Sequence, residues 1–179
     1  MTTMTTVTTV VLTRERFATP VGGLTVVLRD GRVCAAEFDE RWPLLERKLA
    51  LRFGAIDVRD APRSECGERI AAYLAGDLEA LDTIEVDVAG TAFQRAVWDA
   101  LRRIPVGATT SYGDIARELG NARAVRAVGR ANAVNPVSVI VPCHRVVRGD
   151  GDLCGYAGGL ERKRWLLEHE RAITLSLPA

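Results

Sequence analysis

The chain has 179 residues and a hydrophobic content of 47%, which suits one large or two small core-forming domains, and no apolar run approaches the ~20 residues that a membrane span requires. Its Thr-rich start lacks the basic segment of a secretory signal. Four irregularly spaced cysteines with only two histidines exclude a disulfide framework and a closed zinc site. We therefore expect a cytoplasmic protein with reduced thiols. The net charge of +1 hides an asymmetry, because residues 90–179 sum to +5 and residues 1–89 to −4, which favours contact of the second half with a polyanion.

A β-hairpin is predicted near the start of the chain, after a flexible tail at residues 1–12. Two apolar, β-rich runs, Leu24–Leu28 and Val33–Phe38, flank Asp30-Gly31, and Asp-Gly is a preferred pair for a tight hairpin turn. The surrounding segment, residues 13–76, gathers no catalytic residue types. We therefore expect it to be a small α+β scaffold domain.

Two helices are predicted within this scaffold, at residues 44–53 and 65–75. The second has Ser64 as a candidate N-cap and Gly76 as a candidate C-cap, because a Ser hydroxyl accepts from free amide groups and Gly tolerates the left-handed conformation at helix ends. The acidic stretch at residues 77–90 is interpreted as a linker between the two halves.

The second half opens with two capping boxes, in which a hydroxyl and a side chain three residues later satisfy each other's backbone donors. Thr91 with Gln94 starts one helix, and Ser111 with Asp114 starts a shorter one. A further helix at residues 122–133 follows a Gly-Asn turn. Two short helices joined in this way indicate a helix-turn-helix.

The helix at residues 122–133 carries a basic stripe of Arg123, Arg126 and Arg130, spaced i, i+3 and i+7. Such a stripe, bordered by small residues, can approach a phosphate backbone or enter a narrow groove, although a solvated helix face explains three arginines equally well. The small neighbours are Ala124, Ala127, Gly129 and Ala131. The residues expected to face the core are Val125, Val128 and Asn132.

The apolar run Asn135–Val147 delivers Cys143 and His144 to one point. A thiolate is a strong nucleophile, and a neighbouring base or cation lowers the pKa of a thiol, although a free cysteine is most often a small buried hydrophobic residue. Beside a DNA-binding helix, a thiolate is suited to attack on an alkyl carbon of a modified base. The thioether product is stable, so such a protein would act once.

Several segments of the chain resemble the O6-alkylguanine-DNA alkyltransferase family, over roughly the C-terminal half. The most specific is Val-Pro-Cys-His-Arg-Val at residues 141–146. The other matching segments are residues 107–116, 126–129, 135–136 and 158–170. The N-terminal half resembles the family more loosely, at residues 19–22 and 72–76.

The resemblance implies a reaction centre. Cys143 would accept the alkyl group, His144 would act as its base through a bridging water, and Glu170 would orient the imidazole. The water is needed because neighbours on an extended segment point to opposite faces. Asn135 would be the hinge between the recognition helix and this turn, and Tyr112 would donate a hydrogen bond or proton to the departing guanine.

The resemblance also implies how DNA and the damaged base are bound. Arg126 would enter the base stack as the guanine rotates out, and the rest of the helix would lie in the minor groove. The residues implied to line the base pocket are Tyr156, Val146, Gly158, Gly159 and Lys163. No cofactor and no metal are implied, because the DNA is the alkyl donor and the N-terminal zinc ligands of some relatives are missing.

The implied fold is α+β, with a ribonuclease H-like N-terminal α/β scaffold and a helical, winged-helix-like C-terminal domain at residues 91–171, followed by a tail at residues 172–179. The partner would be double-stranded DNA containing O6-alkylguanine, with O4-alkylthymine a further candidate. The protein would be a monomer in solution, with cooperative assembly on DNA left open.

Two other functions compete with this interpretation. A non-catalytic DNA-binding regulator or lesion-flagging protein has no need of Cys143, and a Cys-His acyl hydrolase has no need of the basic helix.

Overall fold

The N-terminal half forms a four-stranded sheet with the order β3-β2-β1-β4 in the computed structural model, which describes residues 8–153 and 155–171. Its strands are β1 (Val10–Phe17), β2 (Leu24–Arg29), β3 (Arg32–Phe38) and β4 (Ile56–Asp60). Strand β1 pairs antiparallel with β2 and parallel with β4. The parts of the predicted tails at residues 1–7 and 172–179, and Cys154, lie outside the described residues.

The predicted hairpin is confirmed, and the predicted tail is partly wrong. Strands β2 and β3 pair antiparallel, and Asp30 and Gly31 have φ of 49° and 78°, the positive values that a tight I′ turn requires. Strand β1 begins at Val10, so residues 10–12 are not a tail. Leu12 is fully buried, and burial of this side chain favours an ordered strand over a frayed end.

Alternate residues of the sheet pack against two different layers. One face carries Val27 and Cys34, which pack with Leu45 and Leu49 of α1 (Trp42–Phe53). The other face belongs to the main core, which continues without a break into the helices of the second half. The two halves of the chain therefore share one hydrophobic core.

The second predicted helix of the scaffold is present as α2 (Glu65–Leu74). The hydroxyl of Ser64 accepts from the amide of Gly67 at 3.1 Å, as predicted for an N-cap. The C-cap is Ala75 rather than Gly76, which follows it with φ of 108°. This end of α2 places Tyr73 in the core between the two halves.

The stretch at residues 77–90 connects the halves while packing against both. Leu81 and Ile84 are buried in the main core, and Val86 forms a parallel bridge with Val33 of β3. Apolar side chains in an acidic stretch anchor it to the scaffold.

The second half is helical and contains both predicted capping boxes. Its elements are α3 (Ala92–Arg102), β5 (Thr110–Ser111), α4 (Tyr112–Glu118), α5 (Val125–Ala133), β6 (Val146–Val147) and α6 (Leu160–His169). Helices α4 and α5 pack against each other across a turn, and a 3₁₀ turn at Ala122–Ala124 leads into α5. No helix within the described ranges is long and apolar enough to cross a membrane.

The segment that follows α5 is attached to the N-terminal sheet. The amide of Ala36 in β3 donates to the carbonyl of Pro136 at 2.9 Å, and the amide of Ser138 donates back to Ala36 at 2.8 Å. Because these bonds extend the sheet edge, the scaffold fixes the start of the turn that carries Cys143.

Candidate active site

The reactive segment is a turn rather than the extended strand expected from its apolar sequence. Val139 has φ of 74°, a left-handed conformation that is uncommon for a β-branched residue. Cys143–Arg145 then forms one turn of 3₁₀ helix, closed by a bond from the Arg145 amide to the Pro142 carbonyl at 3.0 Å. Neighbouring side chains on a 3₁₀ turn still diverge, by about 120°. The side chains of Cys143 and His144 therefore diverge because of a 3₁₀ turn, and not because of the extended strand that was predicted.

Cys143 is a buried thiol held by one amide. Its Sγ accepts from Nδ2 of Asn135 at 3.1 Å. Burial raises the pKa of Cys143 to about 11, against the opposing effects of the Asn135 hydrogen bond and the positive charge of Lys163. At neutral pH the resting group is a thiol, and its proton has to be removed during a reaction.

Asn135 connects this turn to the end of α5. Its Nδ2 also donates to the carbonyl of Val141 at 2.8 Å, and its Oδ1 accepts from the amide of Val137 at 3.0 Å. The side chain is buried, so each of these polar atoms depends on its partner in the turn. Only Val134 separates Asn135 from the last residue of α5, Ala133.

The imidazole of His144 is in hydrogen-bond contact with the carboxylate of Glu170. Its Nε2 lies 3.0 Å from Oε1 of Glu170, and both side chains are fully buried. Burial lowers the pKa of His144, which favours the neutral imidazole. Nδ1 of His144 is buried and has no hydrogen-bond partner among the described residues.

Glu170 accepts hydrogen bonds from two residues that were not predicted. Burial alone would raise its pKa, but hydrogen bonds from His144 and Arg145 hold the pKa of Glu170 well below its usual range. Arg145 donates through Nε to Oε2 at 2.8 Å and through a terminal nitrogen to Oε1 at 2.9 Å. The hydroxyl of Tyr73 donates to Oε1 at 2.8 Å. The N-terminal half, in which the sequence gathers no catalytic residue types, therefore supplies a hydrogen-bond donor to this carboxylate.

Arg145 and Tyr73, the two residues that were not predicted, differ in how far the sequence could have indicated them. Arg145 directly follows His144 in the chain. Because a buried carboxylate such as Glu170 needs a cationic partner, this neighbouring arginine was a candidate for that role. Tyr73 is 97 residues from Glu170 in the chain, and only the packing of α2 on α6 brings the two together.

The predicted pocket residues surround the loop before α6. The hydroxyl of Tyr156 is buried. Burial is the main cause that raises the pKa of Tyr156, and the nearby Cys143 acts in the same direction. Gly158 lies under the Tyr156 ring, since a Cβ there would come within 2.8 Å of ring carbon Cε1. Gly159 has φ of 95° and precedes α6. Arg41 of the scaffold donates to the carbonyl of Ala157 at 2.8 Å and so fixes the loop.

Val146 and Lys163 lie behind this loop rather than at a surface. Both side chains are fully buried, and Nζ of Lys163 donates to the carbonyl of Val146 at 2.5 Å. Within residues 8–153 and 155–171, no group of three or more His, Cys, Asp or Glu side chains is arranged as metal ligands.

The basic stripe lies on an open face of the protein. Arg123, Arg126 and Arg130 are exposed, as is Ala127, whereas Gly129 is half-buried beside Tyr112. A Cβ on Gly129 would lie 3.9 Å from the Tyr112 ring, so the first residue of α4 packs against the middle of α5.

Two expectations for α5 are corrected by its orientation. Ala131 was assigned to the DNA-binding face, but it is 3% exposed and its carbonyl accepts from Nε1 of Trp98 at 2.9 Å. Val125 was assigned to the core, but it is 41% exposed. At 3.6 residues per turn, Val125 and Ala131 lie about 60° to either side of the buried Val128. Packing of α5 against Trp98 covers the edge that carries Ala131 and leaves the edge that carries Val125 exposed.

Comparisons with known proteins converge on one family. The family model of the 6-O-methylguanine DNA methyltransferase DNA-binding domain matches residues 92–172. A methylated-DNA–protein-cysteine methyltransferase of Salmonella typhimurium is 44% identical over 168 residues, which cover 92% of this chain and 98% of that protein.

Solved structures give the same result. The Mycobacterium tuberculosis O6-methylguanine methyltransferase superposes with a TM-score of 0.74 at 36% identity, over 92% of this chain and 96% of that one. The M. tuberculosis OGT in complex with DNA superposes with a TM-score of 0.73 at 38% identity, over 90% and 93%. The chain therefore belongs to the methylated-DNA–protein-cysteine methyltransferase family.

Proposed function

We propose that this protein repairs duplex DNA by moving the alkyl group of O6-alkylguanine to Sγ of Cys143, once per molecule. One observation carries the proposal: on a single 3₁₀ turn, a buried thiol held by Asn135 is followed by a buried imidazole whose Nε2 is fixed by an ionised Glu170. An ionised carboxylate only accepts hydrogen bonds. Nε2 of His144 therefore carries the proton, and Nδ1 carries the lone pair.

The proton of the thiol has a defined destination. Nδ1 of His144 is buried with no partner among the described residues, and one water can join it to Cys143. As Sγ attacks the alkyl carbon, the thiol proton passes through the water to Nδ1. The carbon–oxygen bond to guanine breaks, and its electron pair leaves with the base. Asn135 stabilises the developing thiolate, and Tyr112 donates a proton or hydrogen bond to the departing guanine.

The stable thioether explains why the protein acts once. A carbon–sulfur bond to Cys143 has no route back to the thiolate without another nucleophile, and the reaction needs no cofactor because the DNA supplies the alkyl group. A reduced thiol is required, which fits a cytoplasmic protein. Alkylated O4 of thymine presents a similar leaving oxygen and is the second substrate to assay.

The exposed arginines of α5 supply the contact with DNA. Arg123 and Arg130 flank Arg126 on the open face of the helix, where they can neutralise phosphates. Base atoms inside a duplex have to be rotated out to reach a buried thiol, and Arg126 would occupy the space that the guanine leaves. Ala127 and Gly129 allow close approach to the minor groove, and Tyr156, Gly158 and Gly159 would receive the base.

The finer fold assignment is also a proposal. The mixed sheet with a parallel β1–β4 pair supports a ribonuclease H-like scaffold at residues 13–76, and the β5–β6 pair beside α4 and α5 supports a winged-helix-like domain at residues 91–171. We expect a monomer that binds double-stranded DNA, with cooperative loading to be tested by sedimentation on long duplexes.

Intact mass tests the reaction. After incubation with an excess of duplex containing O6-methylguanine, the protein should gain one methylene-sized increment, located on the Cys143 peptide, and unmodified duplex should give none. Several turnovers per molecule, or transfer by Cys143→Ala, would refute the proposal. A sequence-specific footprint on undamaged DNA without mass gain would favour a regulator, and turnover of an ester would favour a hydrolase.

A further inference from the structure

Oxygen Oε1 of Glu170 accepts three hydrogen bonds, and one comes from the N-terminal scaffold. His144 and Arg145 reach it at 3.0 Å and 2.9 Å, and the hydroxyl of Tyr73 reaches it at 2.8 Å. The first two donors belong to the same turn as Cys143. Tyr73, at the end of α2, is a donor from outside the reactive half.

Tyr73 is held so that its hydroxyl can only donate to this carboxylate. The side chain is fully buried. Burial, together with the adjacent Glu170 charge, raises its pKa, so the phenol keeps its proton throughout the working pH range. Nε2 of His169 donates to the Tyr73 carbonyl at 2.8 Å, and the His169 and Tyr73 rings meet edge to face at 5.0 Å. His169 also stacks on Trp165 of the same helix, which holds the imidazole in place against the end of α2.

The third donor has a consequence for the base. A carboxylate oxygen that already accepts from a phenol and a guanidinium attracts the proton on Nε2 of His144 less strongly, so the imidazole is less basic. The charged groups that act on His144 are Glu170, which raises its pKa, and Arg145 and Lys163, which lower it. Tyr73 acts on the same balance through Glu170, without touching His144 or the substrate.

We propose that Tyr73 is a positioning residue of the alkyl-transfer reaction: through its hydrogen bond to Glu170, the N-terminal scaffold sets the basicity and orientation of His144. The inference rests on the proposed function, because it requires His144 to act as the base for Cys143. It assigns the scaffold a chemical role in addition to its packing.

The test compares two variants in single-turnover transfer from methylated duplex across pH 5 to 9. Tyr73→Phe removes one oxygen and keeps the ring and the backbone carbonyl that His169 contacts. Its acid limb should move to higher pH by about half a unit or more, because Glu170 then holds the imidazolium more strongly. His169→Gln disturbs the same helix contact and keeps the hydroxyl, so its acid limb should stay at the wild-type position.

Each outcome decides the inference. An unmoved acid limb in Tyr73→Phe, or an equal displacement in His169→Gln, overturns it and leaves a purely structural role. Failure of the wild type to transfer a methyl group defeats the proposed function instead. If Tyr73→Phe does not fold, proton NMR of the wild type still decides: a slowly exchanging Tyr73 hydroxyl with a cross-peak to the Nε2 proton of His144 supports the inference, and its absence contradicts it.

Discussion

Nδ2 of Asn135 lies 3.1 Å from Sγ of Cys143 and 2.8 Å from the carbonyl oxygen of Val141. One amide group therefore both contacts the nucleophile and fixes the turn that precedes it. Because only Val134 separates Asn135 from α5, movement of this helix on DNA would be transmitted to the thiol. The contact joins the two functions expected of the second half, DNA binding and alkyl transfer.

Asn135→Ala should weaken the nucleophile. A hydrogen bond to a charged group is worth roughly 1.5–3 kcal/mol, so its loss should raise the pKa of Cys143, already about 11, by about one unit or more. Peptide-resolved iodoacetamide labelling against pH measures the thiol, and single-turnover transfer should slow about tenfold or more. Asn132→Ala is the control, because that amide reaches the carbonyl of Cys143 rather than its sulfur. Identical titration of Cys143 in both variants would contradict the assignment.

Glu170→Gln should slow transfer by about 100-fold, since the base loses its ionised partner, and should also change acid stability. The folded pKa of Glu170 is lowered, so its contribution to stability is complete above the unfolded value of about 4.3 and is lost as the pH falls below it. Urea unfolding at pH 7 and pH 4 should show a smaller acid-dependent loss of free energy in the variant. Glu161→Gln, an exposed position in the first turn of α6, should behave as wild type. An unchanged acid dependence in Glu170→Gln would show that this carboxylate is not ionised in the fold.

Arg126→Ala should separate duplex repair from chemistry at the thiol. If the side chain fills the space left by the flipped guanine, the variant should lose about tenfold or more of its rate on duplex DNA and keep its rate with a free O6-alkylated guanine base. Arg47→Ala, an exposed arginine on α1, should affect neither reaction. Equal losses on both substrates would exclude the proposed role of Arg126.

Gly158→Ala should obstruct the base pocket. The added Cβ would meet the Tyr156 ring at 2.8 Å and the Phe38 ring at 3.3 Å, contacts that force the Tyr156 ring to move. Transfer from duplex DNA and from the free base should both slow, about tenfold or more. Gly149→Ala adds a Cβ to open space and should keep wild-type rates with both substrates. Normal reaction of Gly158→Ala would mean that the base does not pack against Tyr156.

Local features of this protein could be predicted from its sequence because they depend on neighbours in the chain. Asp30 and Gly31 specify a hairpin, and the Thr91 and Ser111 capping boxes specify where two helices begin. The Cys143–His144 pair and the basic stripe were likewise visible as short spacings. These signals operate over a few residues, where backbone geometry and side-chain hydrogen bonds are decided locally.

The tertiary structure decided which side chains complete the site and which face of each helix is buried. Ala131 joined the core and Val125 the surface because α5 packs against Trp98 with one edge of the face around Val128 and leaves the other edge exposed, and this choice of edge has no local sequence signature. Tyr73 reaches Glu170 across 97 residues because both halves bury their apolar faces in one core. The sequence alone identified Cys143 as the proposed nucleophile, His144 as its proposed base and the arginines of the proposed DNA-binding helix, whereas the hydrogen-bond donors around Glu170 were set by long-range packing, which depends on the whole core at once.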